Sequence, residues 1–193
     1  MGPNLKYAVC GVLVSFTVSA CDTGPIEVPE KPIVKVKVQL DAERNRVWLL
    51  TRQGVAVYDA KSPDRILRIS IPGWKLGAEP DGCLPDIAVG PKGEAVVSSD
   101  AIPVLWRIDP DTLAVTRHEF RLDTDQEKDV GFTLLRYAPR PRWYFAVDGL
   151  RGTIWRIDGD LKNAYMMARE VPRVKDCGPR AVALLRQFGV ISQ

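Results

Sequence analysis

The sequence predicts an all-β protein built from repeated four-stranded units. Short apolar stretches alternate at every second residue, as in "KVKVQL" and "VAVYD", and Gly, Pro and Asp bound them. After residue 32, no stretch shows the longer period of a long amphipathic helix. Similar stretches also recur at a nearly constant spacing, which indicates a repeat architecture.

The clearest repeat joins "VLWRID" (Val104 to Asp109) and "TIWRID" (153–158), which lie 49 residues apart. "VAVYD" (55–59) aligns with "LWRID" at an offset of 50. Two matching strands precede each copy and one follows, so a unit holds four strands over about 48 residues. The predicted units cover residues 34–83, 84–131 and 132–178. Such a unit is typical of a β-propeller blade.

The blade count predicts an incomplete propeller of about three and a half blades. After the third unit only "RAVALLRQFGVISQ" remains, which is enough for two strands. Three arrangements stay open: the N-terminal strand around "IVKVKV" closes a four-bladed ring, a second chain completes a ring of about seven blades, or an edge stays exposed. Exposed strand edges invite pairing with partners.

Two stretches resemble known propeller repeats. "PDIAVGPKGEAVVSSD" (85–100) is similar to NHL-type and gluconolactonase-type blades, and "VLWRIDPDTLAV" resembles YVTN and quinoprotein-like repeats. The resemblance implies architecture and not activity, because such repeats serve enzymes and scaffolds alike. Within it, we expect Trp106 and Trp155 to pack between blades, and the segments that start at Asp109 and Asp158 to form tight turns.

The N-terminus indicates where the protein resides. Residues 7–20 carry no charge, but they are fewer than the about 20 residues of a membrane-spanning helix. They end in "VSAC" (Val18, Ser19, Ala20, Cys21), which resembles the lipobox of bacterial lipoproteins. This resemblance implies a removed signal peptide (1–20) and a lipidated Cys21 that begins a Pro-rich tether (21–32) before the domain (33–193). An ordinary signal peptide with an incidental Cys21, or an uncleaved anchor, remains an alternative.

This interpretation places the domain in the bacterial cell envelope, facing the periplasm or the exterior. Two cysteines then remain, Cys83 and Cys177, in the matching settings "DGCLPDIAV" and "KDCGPRAVA". Outside the cytoplasm such a pair predicts a disulfide. Because a disulfide needs a Cα separation below about 7 Å, free thiols, an intermolecular bridge or metal ligation stay open.

The sequence offers little catalytic chemistry, and we predict no catalytic residue. The one histidine, His118, falls on a predicted outermost strand, where we expect it to be exposed. The acidic run at 123–129 lacks the glycine and glutamate of an EF-hand loop and is typical of a solvated loop. Arg136, Arg140 and Arg142 form a small basic spot that we also interpret as a solvated loop.

The gluconolactonase resemblance implies a divalent metal on the propeller axis. Asp86, Asp100 and Asp148 are weak candidate ligands, but they do not make a full set, and no cofactor is predicted. The formal net charge is +3, with both signs interspersed, which argues against nucleic-acid binding. Partners are expected to be the membrane, through the lipid, and an envelope protein or a second copy.

The favoured function is therefore a non-catalytic binding or scaffold module on an envelope membrane. One alternative is a metal-dependent lactonase-type hydrolase or a degenerate relative of one. Another is an accessory subunit of a periplasmic quinoprotein-like redox system, by analogy with the repeats alone.

Overall fold

The computed structural model describes residues 35–74, 76, 84–119, 121–122, 130–149, 151–168 and 186. These residues contain thirteen strands, and the sequence period of two accounts for them. The strands are β1 (Lys35–Asp41), β2 (Arg46–Thr51), β3 (Gly54–Asp59), β4 (Ser62–Ile69), β5 (Ile87–Val89), β6 (Ala95–Ser98), β7 (Val104–Ile108), β8 (Val115–Glu119), β9 (Arg121–Leu122), β10 (Leu134–Ala138), β11 (Trp143–Asp148), β12 (Thr153–Asp158) and β13 (Asn163–Ala168).

The strands form three antiparallel four-stranded units in chain order, which confirms the predicted blades. The first blade is β1 to β4, the second is β5 to β8, and the third is β10 to β13. The short strand β9 follows the second blade and pairs in parallel with β13 of the third. The described sheets do not close into a ring, as expected for an incomplete propeller.

Strand β1 belongs to the first blade. It pairs with β2 from Lys35 opposite Thr51 to Asp41 opposite Arg46. One arrangement drawn from the sequence used the strand around "IVKVKV" to complete a fourth sheet. The antiparallel pairing with β2 instead makes residues 35–41 the first strand of the first sheet.

Apolar cores fill the spaces between neighbouring blades. Trp106 of β7 is fully buried against the first blade, in a cluster with Trp48, and its Nε1 donates to the carbonyl of Pro72 at 3.0 Å. Trp155 of β12 is fully buried against the second blade and meets Phe132 edge to face. Both tryptophans therefore pack between blades, as predicted.

The turns between third and fourth strands use the same aspartate in every blade. Asp59, Asp109 and Asp158 accept backbone N–H groups from Lys61, Thr112 and Lys162, at 2.7, 2.8 and 2.7 Å. Aspartate favours such turns because its short side chain mimics a backbone acceptor. These turns lie at the same end of each sheet as the turns between first and second strands, and this end carries the cleft described below.

Several predictions fall outside the described residues. Residues 1–34, with the lipobox and Cys21, are among them, as are Cys83, Cys177 and the acidic run at 123–129. Lipidation, cleavage and the disulfide therefore stay predictions. Of the residues that the structure describes, none belongs to a helix long and apolar enough to cross a membrane.

Candidate functional site

A buried carboxylate joins the innermost strands of all three blades. Asp86 precedes β5 and is fully buried. Its Oδ2 accepts the backbone N–H of Leu135 at 3.1 Å and the guanidinium of Arg136 at 2.8 Å, both in β10. Its Oδ1 lies 3.5 Å from Nζ of Lys37 in β1. Burying a carboxylate is costly unless it is paired, so these contacts make Asp86 a clamp between blades.

Ser98, at the end of β6, extends this clamp. Its hydroxyl accepts the backbone N–H of Asp86 at 2.9 Å and donates to the carbonyl of Phe132 at 2.7 Å. The start of the second blade's inner strand is therefore tied to the third blade through both side chain and backbone. Arg136, interpreted from the sequence as part of a solvated loop, is instead partly buried in this network.

The three aspartates considered as metal ligands occupy different positions. Asp86 has both oxygens engaged by cationic and backbone donors, whereas Asp148 ends β11 and accepts the backbone N–H of Arg151 at 3.0 Å. Asp100 is buried just after β6. Within the described ranges, no group of three or more His, Cys, Asp or Glu side chains is placed to hold a metal ion. The metal site therefore stays a prediction without a donor set among these residues.

A charged cleft of about 590 Å³ lies at the end of the sheets that holds the aspartate turns. Turns of the second and third blades form most of it, and Arg44 of the first blade reaches its edge. The lining residues are mainly charged: Arg44, Lys92, Glu94, Arg107, Asp109, Asp111, Arg142 and Asp160. Its volume is within the range of about 300–1,000 Å³ usual for ligand sites, although its lining is more polar.

Some of these charges already have partners inside the protein. Arg44 pairs with Asp41 at 3.3 Å, and Arg107 donates to the carbonyl of Gly159 at 2.7 Å. Hydrogen bonds from the backbone and then the hydroxyl of Thr112 hold the pKa of Asp109 below its ordinary value, so this carboxylate remains charged in its turn.

Four of the remaining charges in the cleft are available to a ligand. Lys92 and Arg142 are exposed cations, and Asp111 and Asp160 are exposed carboxylates. None of the four forms an ion pair within the described part of the chain. The cleft therefore offers both signs of charge at its rim, an arrangement that suits a partner carrying both.

A buried hydrogen-bonded pair, Tyr144 and Glu94, lies beside the cleft. The Tyr144 hydroxyl donates to Glu94 at 3.4 Å, and the second Glu94 oxygen accepts the backbone N–H of Lys92 at 2.8 Å. Burial, and then the charge of Glu94, raise the pKa of Tyr144 far above its ordinary value, so it stays protonated as a donor. A Cβ at Gly90 would lie 2.3 Å from Glu94 Oε1 and from the Tyr144 hydroxyl, so a side chain there would displace this pair.

His118 differs from the sequence expectation of an exposed edge residue. It is half-buried on β8, and its Nε2 is buried without a hydrogen-bond partner among the described residues. Burial lowers the pKa of His118, and the nearby charge of Arg107 lowers it further. The imidazole is therefore neutral in the folded protein near neutral pH and does not line the cleft.

Comparisons with known proteins identify the fold. No protein-family model matches the sequence, and a search of curated proteins finds no match. A streptogramin B lyase structure matches with a TM-score of 0.55 and 13% identity, over 77% of this chain and 45% of that one. An auxiliary nutrient binding protein from Bacteroides ovatus matches with a TM-score of 0.52 and 18% identity, over 71% of this chain and 32% of that one.

These matches concern fold alone, because their sequence identities are low. They confirm the prediction of propeller-type blades. The chain spans less than half the length of either solved structure. No sequence motif identified the residues that form the cleft.

Replacing the central carboxylate tests the clamp. We expect Asp86→Asn to lower the free energy of unfolding by about 3 kcal/mol, because Lys37 and Arg136 would keep their charges without their partner. Urea unfolding followed by circular dichroism measures this loss. The control is Asp64→Asn on the exposed strand β4, which should change stability by less than about 0.5 kcal/mol. Equal effects of the two variants would show that the clamp adds nothing.

The only histidine allows a clean pH test. Because the pKa of His118 is lowered on folding, the unfolded chain binds more protons below about pH 6.5. Stability should therefore fall as the pH drops from about 6.5 through the folded pKa, and level off below it. His118→Gln should remove this part of the pH dependence. An NMR titration giving a folded pKa at or above 6.5 would contradict the burial argument.

Proposed function

We propose that this protein is a lipid-anchored, extracytoplasmic binding module whose propeller domain recognises a charged segment of another envelope protein. The observation that carries the proposal is the rim of the cleft. Lys92 and Arg142 there face solvent beside Asp111 and Asp160. A polypeptide segment with both acidic and basic side chains can pair with both sets, which gives specificity and orientation.

A binding role is favoured over catalysis by how the other polar residues are used. Asp86 on the inner strands is engaged by Lys37 and Arg136, and His118 lies away from the cleft. A nucleophile needs an adjacent base within hydrogen-bonding distance, and the cleft lining offers no such pair among the described residues. A solved structure of similar fold is itself described as a nutrient binding protein.

The anchor is the second part of the proposal, and it rests on "VSAC" at 18–21. A thiolate is a strong nucleophile and is suited to attack a lipid donor. Two or more acyl chains, each burying many CH₂ groups at about 0.8 kcal/mol, give a stable attachment.

Lipidation is tested by metabolic labelling of the full chain with a palmitate analogue in a bacterial host. We expect label on the wild-type protein, membrane association, and loss of both in Cys21→Ser. The matched control is Cys83→Ser, which leaves the predicted lipobox intact and should keep the label. Labelling that survives Cys21→Ser would disprove lipidation at this residue.

Cross-linking tests the binding surface. We expect a photo-cross-linking side chain at Lys92 of the full chain, expressed in its envelope, to give one discrete protein adduct. The same group at Gln53, in the turn at the opposite end of the first sheet, should not give that adduct. Asp111→Lys combined with Asp160→Lys should lower its yield about tenfold, because an attraction becomes a repulsion. Equal adducts at both positions would disprove a role for the cleft.

The alternatives give different outcomes. A lactonase-type hydrolase would gain thermal stability from a divalent metal and hydrolyse a lactone, because a metal that binds the folded state raises its melting temperature. An accessory subunit of a redox system would give an adduct with a quinoprotein-type enzyme. Neither has a supporting contact among the described residues beyond the resemblance of the repeats.

A further inference from the structure

A short added strand closes the outer side of the space between the second and third blades. β9 pairs in parallel with β13, the outer strand of the third blade, and places Leu122 beside Ala164. Ala164 is buried in the apolar core between these two blades, and Leu122 packs against that core. The chain thus shows that a blade can take a fifth strand at its outer edge, with an apolar side chain directed into the space between blades.

The second blade has an equivalent outer edge. Its outer strand β8 ends the sheet formed by β5 to β8, and no further strand pairs with it among the described residues. Val115 of β8 corresponds to Ala164, because the two lie 49 residues apart and each pairs with the isoleucine of its own "WRID" repeat. Val115 packs toward the first blade as Ala164 packs toward the second, but Val115 is only partly buried.

The backbone of β8 is placed to receive a strand. The N–H of Asp109 donates to the carbonyl of Ala114 at 2.9 Å, so the peptide groups of Ala114 face β7. Because these groups point to opposite sides at successive residues, those of Val115, Arg117 and Glu119 face the open edge. The side chains of Arg117 and Glu119 are exposed and pair with each other, so they leave no net charge to repel a segment. Such an edge is a template for strand addition.

A pocket of about 340 Å³ opens between the first and second blades, at the start of β8. Val57, Leu67 and Leu113 form its apolar wall. Val57 belongs to the buried core between the blades, whereas Leu67, directly opposite Val57 on β4, is 56% exposed. The apolar core therefore reaches the surface here without a covering side chain among the described residues.

The charges around this pocket favour an acidic segment. They come from three arginines and two aspartates: Arg44, Arg46, Arg65, Asp59 and Asp111. Arg44 and Arg46 already bind acceptors within the chain. Arg65 is exposed, and neither an ion pair nor a hydrogen bond holds it within the described part of the chain. A carboxylate on a bound segment can pair with this guanidinium.

We propose that β8 and this pocket bind an extended segment of the partner as an added strand. The segment runs parallel to β8, as β9 runs beside β13. One apolar side chain enters the pocket against Leu67, and a carboxylate pairs with Arg65. Arg44, Pro110 and Asp111 line both this pocket and the charged cleft, so one segment can occupy both. The inference rests on the proposed function, because it takes the segment to belong to the same envelope protein.

A fluorescent synthetic peptide tests strand addition. The probe carries one glutamate and two leucines at alternate positions, with threonines between them. We expect saturable binding to the full chain in mild detergent, measured by fluorescence anisotropy. N-methyl groups on one set of alternate amides should abolish binding, whereas N-methyl groups on the other set should not, because only one set faces β8. Equal effects of the two sets, or no binding of the unmodified probe, would overturn the proposal.

Matched variants locate the probe. Leu67→Glu should weaken binding at least about tenfold, because it places a charge against the apolar side chain of the probe. Ile66→Glu is the control, because Ile66 is the neighbouring residue of β4, is 42% exposed and does not line the pocket. Arg65→Gln should weaken binding of the glutamate probe but not of a probe with glutamine in its place. Circular dichroism should be the same for all three variants, because the three side chains are exposed.

The remaining outcomes distinguish the strand site from the cleft. Slow amide exchange of Val115 and Arg117 in the free protein would show that this chain or a second copy already covers the edge, which would overturn the proposal. Equal binding of the probe to Leu67→Glu and Ile66→Glu would overturn it too. An adduct at Lys92 without probe binding would overturn strand addition and leave the binding role of the cleft. Probe binding without an adduct at Lys92 would support strand addition and count against the cleft.

Discussion

The arrangement of the three blades depends on the buried carboxylate of Asp86. Lys37, Arg136 and the backbone of β10 all bind it, so one side chain fixes the inner strands of three sheets. Because an unpaired buried carboxylate is costly, the blades must keep this spacing for the charge to stay satisfied. The same demand removes Asp86 from the set of groups free to bind a metal or substrate. The candidate binding site therefore lies at the turns, where the charged cleft is, and not at the inner strands.

Away from Asp86, hydrogen bonds from an arginine of one blade to a turn carbonyl of the next blade join the sheets. Arg46 and Arg107 each reach forward to the turn of the following blade. Arg156 occupies the position of Arg107 in the third blade, where its guanidinium lies over the ring of Trp143 and its Nε has no hydrogen-bond partner among the described residues.

Local features of this fold could be predicted from the sequence, and long-range ones could not. The strands follow from alternation, the burial of Trp106 and Trp155 from their repeated position, and the turns from aspartates that cap nearby backbone groups. The ion pair between Asp86 and Arg136 spans 50 residues and leaves no local pattern, so Arg136 was interpreted as solvated. His118 was expected to be exposed because it falls on a predicted outermost strand, and a strand pattern does not encode how neighbouring blades pack. The cleft was missed because turns of three blades form it.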